Sequence, residues 1–166
     1  MSDSTTGTAG PIKVLFVCLG NICRSPTAEA VFSKQVQDAG LADRLLTDSA
    51  GTGDWHLGHA PDQRARAAAA TRGYALDHLR ARQVSAEDFL HFDYILAMDN
   101  ANLEDLRALD PGHGRARLMR FLDVLEEGGP GEVPDPYYGG EDGFGAVLDL
   151  VERASQRWLE RLRSEL

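Results

Sequence analysis

Residues 14–30 read VLFVCLGNICRSPTAEA, a sequence that holds a strand, a tight loop and the start of a helix. The apolar run over 12–17 is typical of a parallel strand that is covered on both faces. Gly20 and Asn21 then supply residue types that tolerate the positive φ of a tightly curled loop. Ser25 is a good N-cap type, and the proline that follows it suits the first turn of a helix. The order strand, loop, helix is the unit from which α/β folds are built.

The rest of the chain alternates between predicted strands and predicted helices. Three more strands are expected, at 44–50, 92–98 and 115–119. The expected helices cover 26–39, 62–72, 85–90, about 100–109, with Asn100 or Asn102 as its cap, and the end of the chain. The apolar residues of that last helix fall on one side: Phe144, Val147, Leu148, Val151, Ala154, Trp158, Leu159 and Leu162. Residues 120–140, rich in glycine, proline and acidic side chains, are expected to form a surface loop.

This alternation implies a single-domain α/β fold with a doubly wound parallel sheet and helices on both faces. Ligands bind such sheets at the carboxyl ends of the strands. Cys18, the loop that carries Trp55, and Asp99 each follow a predicted strand, so they are expected to gather on one edge of the sheet.

Composition is that of an ordinary globular protein. The 166 residues suit one domain, and 43% of them are apolar and 26% charged. The formal net charge of −9 argues against nucleic-acid binding and requires any phosphate site to be positive locally. Residues 1–11 lack the features of a signal peptide and are predicted to be a disordered tail before a domain at 12–166. Without an apolar run of about 20 residues, no membrane association is expected, and the predicted location is the cytoplasm.

Cys18 and Arg24 are separated by five residues, the C-x5-R spacing of a phosphate-binding loop with a cysteine nucleophile. Five residues allow backbone N–H groups to curl around a tetrahedral anion, and the N-terminus of the next helix adds partial positive charge. Arg24 can give two parallel N–H donors to the same anion. These neighbours favour the thiolate, the nucleophilic form of Cys18. The pattern predicts a cysteine-dependent phosphatase; the alternative is a buried cysteine at a strand end and a solvated arginine.

Residues 18–26, CLGNICRSP, closely resemble the signature of the low-molecular-weight protein tyrosine phosphatases. The resemblance spans about residues 12–163 and includes Asp135-Pro136-Tyr137-Tyr138. It implies a four-stranded parallel sheet between helices, with the phosphate-binding loop after the first strand. It also implies hydrolysis of phosphotyrosine through a phosphocysteine intermediate, without metal or cofactor. The aromatic residues of the cleft resemble those of the eukaryote-like branch of this family. The chain is interpreted as a bacterial member of that branch.

The same resemblance assigns roles to individual residues. Cys18, Arg24 and Asp135 are expected to be catalytic, with Asp135 as the general acid held between two prolines. Phosphate and substrate are expected to be bound by Leu19, Gly20, Asn21, Ile22, Cys23, Ser25, Trp55, Tyr137 and Tyr138. Ser49 is expected to hold Asn21 by a hydrogen bond, and Asp99, the competing carboxylate, to be structural. For Trp55, core packing is the alternative to a place in the cleft wall.

Two features depart from or add to that pattern. Many relatives carry a His three residues before the Arg82-Gln83 pair, and this His supports the loop. This chain has Leu79 at that position, and the supporting role is not transferred to His78. Cys23 is predicted to form a reversible disulfide with oxidised Cys18, which would protect a redox-sensitive enzyme. The alternative for Cys23 is a small packing residue.

Two alternatives to this hypothesis share its fold or its ligand. An arsenate reductase of the same fold would need further cysteines to pass on oxidising equivalents, and the chain has only two. A non-catalytic phosphotyrosine-binding module would be expected to lack the nucleophile or the acid. The implied partners are phosphotyrosine proteins, with inorganic phosphate as product. Bacterial relatives act on tyrosine kinases or on host proteins, and the residues of this chain do not choose between them.

Overall fold

Four parallel strands form one sheet in the computed structural model, which describes residues 10–125, 131–138 and 142–166. The strands are β1 Ile12–Cys18, β2 Leu45–Gly51, β3 Tyr94–Ala97 and β4 Arg117–Arg120, in the order β2-β1-β3-β4. The α-helices of the described ranges are α1 Arg24–Asp38, α2 Gln63–Ala70, α3 Asp88–His91, α4 Asn100–Leu109 and α5 Asp142–Arg163. Short 3-10 turns lie at Phe121–Val124 and Pro136–Tyr138. The predicted fold is therefore confirmed; of the predicted tail, 1–9 lies outside the described residues.

β1 lies inside the sheet, and its side chains alternate between two buried cores. On one face Phe16 packs edge-on against Phe32 of α1 and against Phe121. On the other face Leu15 and Val17 pack among apolar residues of β3 and α4. Burial on both faces is the reason that the strand reads as a continuous apolar run. None of the helices in the described part of the chain is long and apolar enough to cross a bilayer.

Helix α5 confirms the predicted apolar stripe, since all eight of its predicted core residues are buried. The indole Nε1 of Trp158 donates a 2.7 Å hydrogen bond to the backbone oxygen of Phe121. Phe121 and Leu122 are buried beneath this helix, so the prediction of a surface loop is wrong at its beginning. Residues 126–130 and 139–141 of the predicted loop lie outside the described residues.

The caps of two helices differ from their predictions. Helix α1 begins at Arg24, with Cys23 in the N-cap position, two residues earlier than a Ser25 cap would place it. The Ser25 hydroxyl turns back into the preceding loop, because that loop closes so tightly that its last residues are already helical. Helix α4 is capped by Asp99, which accepts a 2.8 Å hydrogen bond from the backbone N–H of Asn102, and not by an asparagine.

The carboxyl ends of β1 and β2 meet at Cys18 and Gly51, which are paired in the sheet. A Cβ on residue 51 would lie 2.8 Å from the backbone oxygen of Leu19. Glycine at this position therefore lets the loop after β1 curl over the end of β2. The loops that carry Trp55 and Asp99 follow β2 and β3 at the same edge of the sheet.

Candidate active site

The loop between β1 and α1 places the Cys18 thiol beside a backbone N–H group and a hydroxyl group. Cys18 Sγ accepts a 3.3 Å hydrogen bond from the backbone N–H of Asn21 and lies 3.0 Å from Ser25 Oγ. The sulfur lines a cavity of about 350 Å³ at the sheet edge. The lining residues are Cys18, Leu19, Gly20, Ile22, Cys23, Arg24, Trp55, His56, Asp135 and Tyr137.

Asn21 adopts a left-handed backbone conformation, with φ of 58°, and its side chain holds the loop in that shape. Asn21 Nδ2 donates to Ser25 Oγ at 2.8 Å and to Ser49 Oγ at 3.0 Å, which confirms the predicted bond to Ser49. Its Oδ1 accepts from the backbone N–H of Arg82 at 2.9 Å. A non-glycine residue with positive φ is strained, and these three bonds offset the strain.

Arg24 closes the loop and is almost completely buried. Its Nη1 donates to Asp99 at 2.7 Å and to the backbone oxygen of Val133 at 3.0 Å, which fixes the plane of the guanidinium. Its Nη2 lies 3.5 Å from Asp135 Oδ2. Burial alone would lower the pKa of Arg24, but Cys18, Asp99 and Asp135 outweigh it and raise that pKa above its ordinary value. Arg24 is therefore a fixed positive charge beside the thiol.

Asp135 reaches the same cavity from a position 111 residues further along the chain than Arg24. The loop that carries it is anchored by Val133, whose buried backbone N–H donates to Met98 O at 2.8 Å. Asp135 Oδ1 accepts from the backbone N–H of Tyr137 at 3.0 Å, while Oδ2 faces Arg24. The geometry brings one carboxylate, one guanidinium and one thiol around a single space.

The mouth of the cavity is aromatic. Trp55 is 66% exposed and lines the cavity, so the alternative of core packing is wrong. Tyr137 and His56 also line the cavity, with their ring centroids 6.3 Å apart; His56 carried no signal in the sequence. For Tyr138 the backbone lies in the same 3-10 turn, but its side chain lies outside the described residues.

Arg64 at the start of α2 ties the aromatic wall to the body of the protein. It pairs with Asp62, donates to the backbone oxygen of Tyr137 at 3.0 Å, and stacks over the rings of Tyr137 and Phe144. Arg64 and Asp62 carried no signal in the sequence, because their link to Tyr137 depends on where the Asp135 loop folds relative to α2.

Cys23 shares the loop with Cys18, and both thiols are free and buried. Burial raises the pKa of the Cys23 thiol far above its ordinary value, and the nearby charges of Asp62 and Cys18 raise it further. Cys23 is therefore a neutral thiol at physiological pH. His78, by contrast, is exposed, and Leu79 is half-buried.

Comparison with known proteins agrees with this geometry. Residues 13–166 match the family model described as low molecular weight phosphotyrosine protein phosphatase. A low molecular weight protein-tyrosine-phosphatase of Streptomyces coelicolor is 48% identical over 157 residues, 93% of this chain and 95% of that protein.

Two solved structures extend the likeness to eukaryotic proteins. A protein tyrosine phosphatase of Entamoeba histolytica is 44% identical, with a TM-score of 0.88 over 93% of this chain and 98% of that one. A Drosophila protein described as an arginine phosphatase is 34% identical, with a TM-score of 0.85 over 91% of this chain and 98% of that one.

No group of three or more His, Cys, Asp or Glu side chains in the described ranges is arranged to hold a metal ion. Sequence, fold and loop geometry thus agree, and the chain belongs to the low molecular weight phosphotyrosine protein phosphatase family.

Proposed function

We propose that the protein hydrolyses phosphotyrosine in proteins through a cysteinyl-phosphate intermediate, with Cys18, Arg24 and Asp135 as its catalytic residues. The observation that carries the proposal is the convergence of these three side chains on one cavity. In it Arg24 is fixed by Asp99 and the backbone oxygen of Val133. Charge stabilisation by a buried, preoriented donor set is the largest single contribution to most such reactions.

In the first step the Cys18 thiolate attacks phosphorus, and the bond from phosphorus to the tyrosine oxygen breaks. The loop N–H groups and Arg24 bind the three equatorial oxygens, whose charge is shared in the transition state. Asp135 gives its proton to the departing phenolate, which otherwise leaves with a full charge. The products are a phosphorylated Cys18, an ionised Asp135 and neutral tyrosine.

In the second step the Asp135 carboxylate removes a proton from water, and the water oxygen attacks phosphorus. The S–P bond breaks and the Cys18 thiolate leaves, with inorganic phosphate as the product. Ser25 Oγ lies 3.0 Å from Cys18 Sγ and is placed to donate a hydrogen bond to the departing sulfur. Arg24 and the loop amides carry the charge, so the proposed mechanism needs no metal.

The walls of the cavity favour an aryl phosphate. The sulfur lies at the floor, and Trp55 and Tyr137 form the rim. A phosphorylated tyrosine is long enough to reach the sulfur and packs its ring against these aromatic side chains, whereas phosphoserine is shorter. Leu19 and Ile22 also line the space, so the cavity offers apolar as well as aromatic contacts to the ring of a phosphotyrosine.

Hydrolysis of matched substrates tests the proposal. We expect the wild type to hydrolyse a phosphotyrosine peptide in the presence of EDTA, and Cys18→Ser to lose the activity. Asp135→Asn should lose about 10²–10⁴-fold in rate, and most on substrates with poor leaving groups. The pH profile should be bell-shaped, since the first step needs Cys18 ionised and Asp135 protonated. Activity that survives Cys18→Ser would refute the mechanism, and preference for phosphoarginine over phosphotyrosine would refute the substrate class.

We further propose that residues 12–166 form the phosphatase domain, that it works in the cytoplasm, and that its activity is redox-sensitive. Reducing compartments keep paired thiols such as Cys18 and Cys23 free. Oxidation of Cys18 by peroxide gives a sulfenic acid, and attack by the Cys23 thiol gives a disulfide with loss of water. A reductant then returns both thiols.

A further inference from the structure

A chain of hydrogen bonds joins the Cys18 loop to a carboxylate on α1. Glu29 Oε1 accepts from Ser49 Oγ at 2.7 Å, and Ser49 Oγ in turn accepts from Asn21 Nδ2 at 3.0 Å. The second Nδ2 proton of Asn21 goes to Ser25 Oγ at 2.8 Å. Ser25 Oγ lies 3.0 Å from Cys18 Sγ, so three side chains and four contacts link Glu29 to the nucleophile.

The direction of each proton in this chain follows from the carboxylate. An ionised carboxylate can only accept, so the single proton of the Ser49 hydroxyl is directed to Glu29. The Ser49 oxygen is then free to accept from Asn21. Since Asn21 also donates to Ser25 Oγ, the proton of Ser25 is left for another acceptor. The sulfur of Cys18 lies 3.0 Å away and the backbone oxygen of Ala50 3.3 Å away, so the sulfur is the nearer of the two. Without the carboxylate, nothing prevents the Ser49 proton from turning toward the amide of Asn21.

We propose that Glu29 is a positioning residue that sets these proton directions, and so makes Ser25 a donor to the Cys18 sulfur when the phosphoenzyme breaks down. The proposal rests on the proposed phosphatase mechanism. Glu29 does not touch the substrate cavity described above; it acts only through Ser49, Asn21 and Ser25. Leu79 lines the same cavity beside α1 as Glu29, and its side chain adds no polar group to this series of hydrogen bonds.

The groups around Glu29 determine how readily its carboxylate gains a proton. Two nearby charges change the pKa of Glu29 in opposite directions: Asp48 on β2 raises it and Arg82 lowers it. A cavity of about 330 Å³ beside α1 is lined by Glu29 together with Lys34, Tyr74 and His78. Burial raises the pKa of Glu29, the bond from Ser49 lowers it, and the net direction is upward. Glu29 therefore gains a proton more readily than an exposed glutamate as the solution becomes acidic.

A role in the second step has a kinetic signature that a structural role lacks. If only breakdown of the phosphoenzyme is slowed, kcat and KM fall together, and kcat/KM, which reports the first step, is unchanged. Glu29→Gln keeps the size of the side chain and an acceptor but removes the charge. We expect its kcat to fall about 3- to 10-fold, the rate equivalent of one hydrogen bond, with kcat/KM within about twofold of the wild type.

The experiment compares steady-state and burst kinetics of four proteins on an aryl phosphate: wild type, Glu29→Gln, Ser49→Ala and the double variant. Each variant should release a burst of phenol close to one per enzyme. The double variant should be no slower than Ser49→Ala, because Glu29 acts through Ser49. Glu152→Gln is the matched control, since its carboxylate accepts from Tyr74 and Arg72, and its kinetics should equal those of the wild type.

The acid limb of the pH profile of kcat gives a second test of the role of Glu29. In the wild type kcat should fall as Glu29 gains a proton, whereas Glu29→Gln should be slow and lack that component. Equal losses in kcat and kcat/KM, multiplicative effects of the two substitutions, or unchanged kinetics of Glu29→Gln would each overturn the proposal. An inactive wild type would instead refute the phosphatase function itself.

Discussion

Arg24 and Asp99 form a 2.7 Å ion pair that joins the first turn of α1 to the N-terminus of α4. The two oxygens of Asp99 divide their work. Oδ2 accepts from Arg24, and Oδ1 caps α4 by accepting from the backbone N–H of Asn102. The helix cap thereby fixes the carboxylate, and the carboxylate fixes the guanidinium. The arginine is oriented before any phosphate arrives, which lowers the entropic cost of binding.

Asp99→Asn separates these two functions, because asparagine can cap a helix but carries no charge. We expect the free energy of unfolding to fall by about 1–3 kcal/mol, since Arg24 is buried and Asp99 is 21% exposed as a side chain. The inhibition constant of inorganic phosphate should rise about tenfold as Arg24 loses its orientation. Urea unfolding and competitive inhibition measure the two effects.

The control for that change is Asp38→Asn, which removes the exposed Lys34–Asp38 pair of α1. Such a surface pair contributes at most about 1 kcal/mol and has no path to the loop. If both substitutions cost the same stability and leave phosphate binding unchanged, Asp99 does not orient Arg24.

The sequence was sufficient for the fold and for the loop residues, because these depend on local patterns. The apolar run of β1, the C-x5-R spacing and the Asp135 motif can each be read along the chain. The link from Arg24 to Asp99 cannot, since it depends on β3 lying beside β1 in the sheet. The glycine, proline and acidic content of residues 120–140 led to a wrong prediction at Phe121, whose burial is determined by α5 packing over it.

Ser25 shows how a local preference can lose to a tertiary one. Its hydroxyl suits an N-cap, but Cys18, Asn21 and the backbone oxygen of Ala50 all lie within hydrogen-bond reach of it. Glu29 carried no sequence signal for a similar reason: one acidic residue on a helix is normally solvated, and only the fold brings it to Ser49.

Trp55→Ala tests whether the aromatic rim selects aryl phosphates. Because the indole is 66% exposed, the stability should change by less than about 0.5 kcal/mol. The KM for a phosphotyrosine peptide should rise about tenfold, while that for a small alkyl phosphate should not change. Steady-state kinetics on the two substrates measure the selectivity.

Gly53→Ala offers an independent way to move the same side chain. The ring of Trp55 occupies the position that a Cβ of residue 53 would take, so alanine must displace the indole. It should therefore reproduce the loss of selectivity while the indole is retained. Leu57→Ala, which alters a residue 52% exposed in the same loop, should have no effect on either KM. If all three variants kept the wild-type KM for the phosphotyrosine peptide, a role of Trp55 in selection would be excluded.

Cys23 should resist alkylation at neutral pH while Cys18 reacts. Burial raises the pKa of Cys23, and a thiol reacts with iodoacetamide only as the thiolate. Fragmentation mass spectrometry of the peptide that holds both cysteines locates the label. The expected result is modification of Cys18 alone, and label on both residues of the native protein would contradict it.

Oxidation of Cys18 to a neutral sulfenic acid removes one of the negative charges that keep Cys23 protonated, so Cys23 becomes more reactive at that stage. We expect peroxide to inactivate the wild type and reductant to restore it fully, because the Cys23 thiol traps the sulfenic acid of Cys18 as a disulfide. Cys23→Ala should recover less after the same exposure, since the sulfenic acid is left open to further oxidation. Complete recovery of Cys23→Ala would show that Cys23 gives no protection.

Glu29 should also make the stability of the fold depend on pH. Its pKa is raised in the folded state by burial, so the native protein holds a proton there at pH values where the unfolded chain has released it. This contribution to stability is fully present below the unfolded pKa and is lost as the pH rises through the folded pKa. Glu29→Gln removes the titration. The difference in free energy of unfolding, variant minus wild type, should therefore increase as the pH rises across this window. Urea unfolding of both proteins between about pH 4 and pH 8 measures that slope. A flat or falling difference would mean that the network stabilises the charged carboxylate as well as water does.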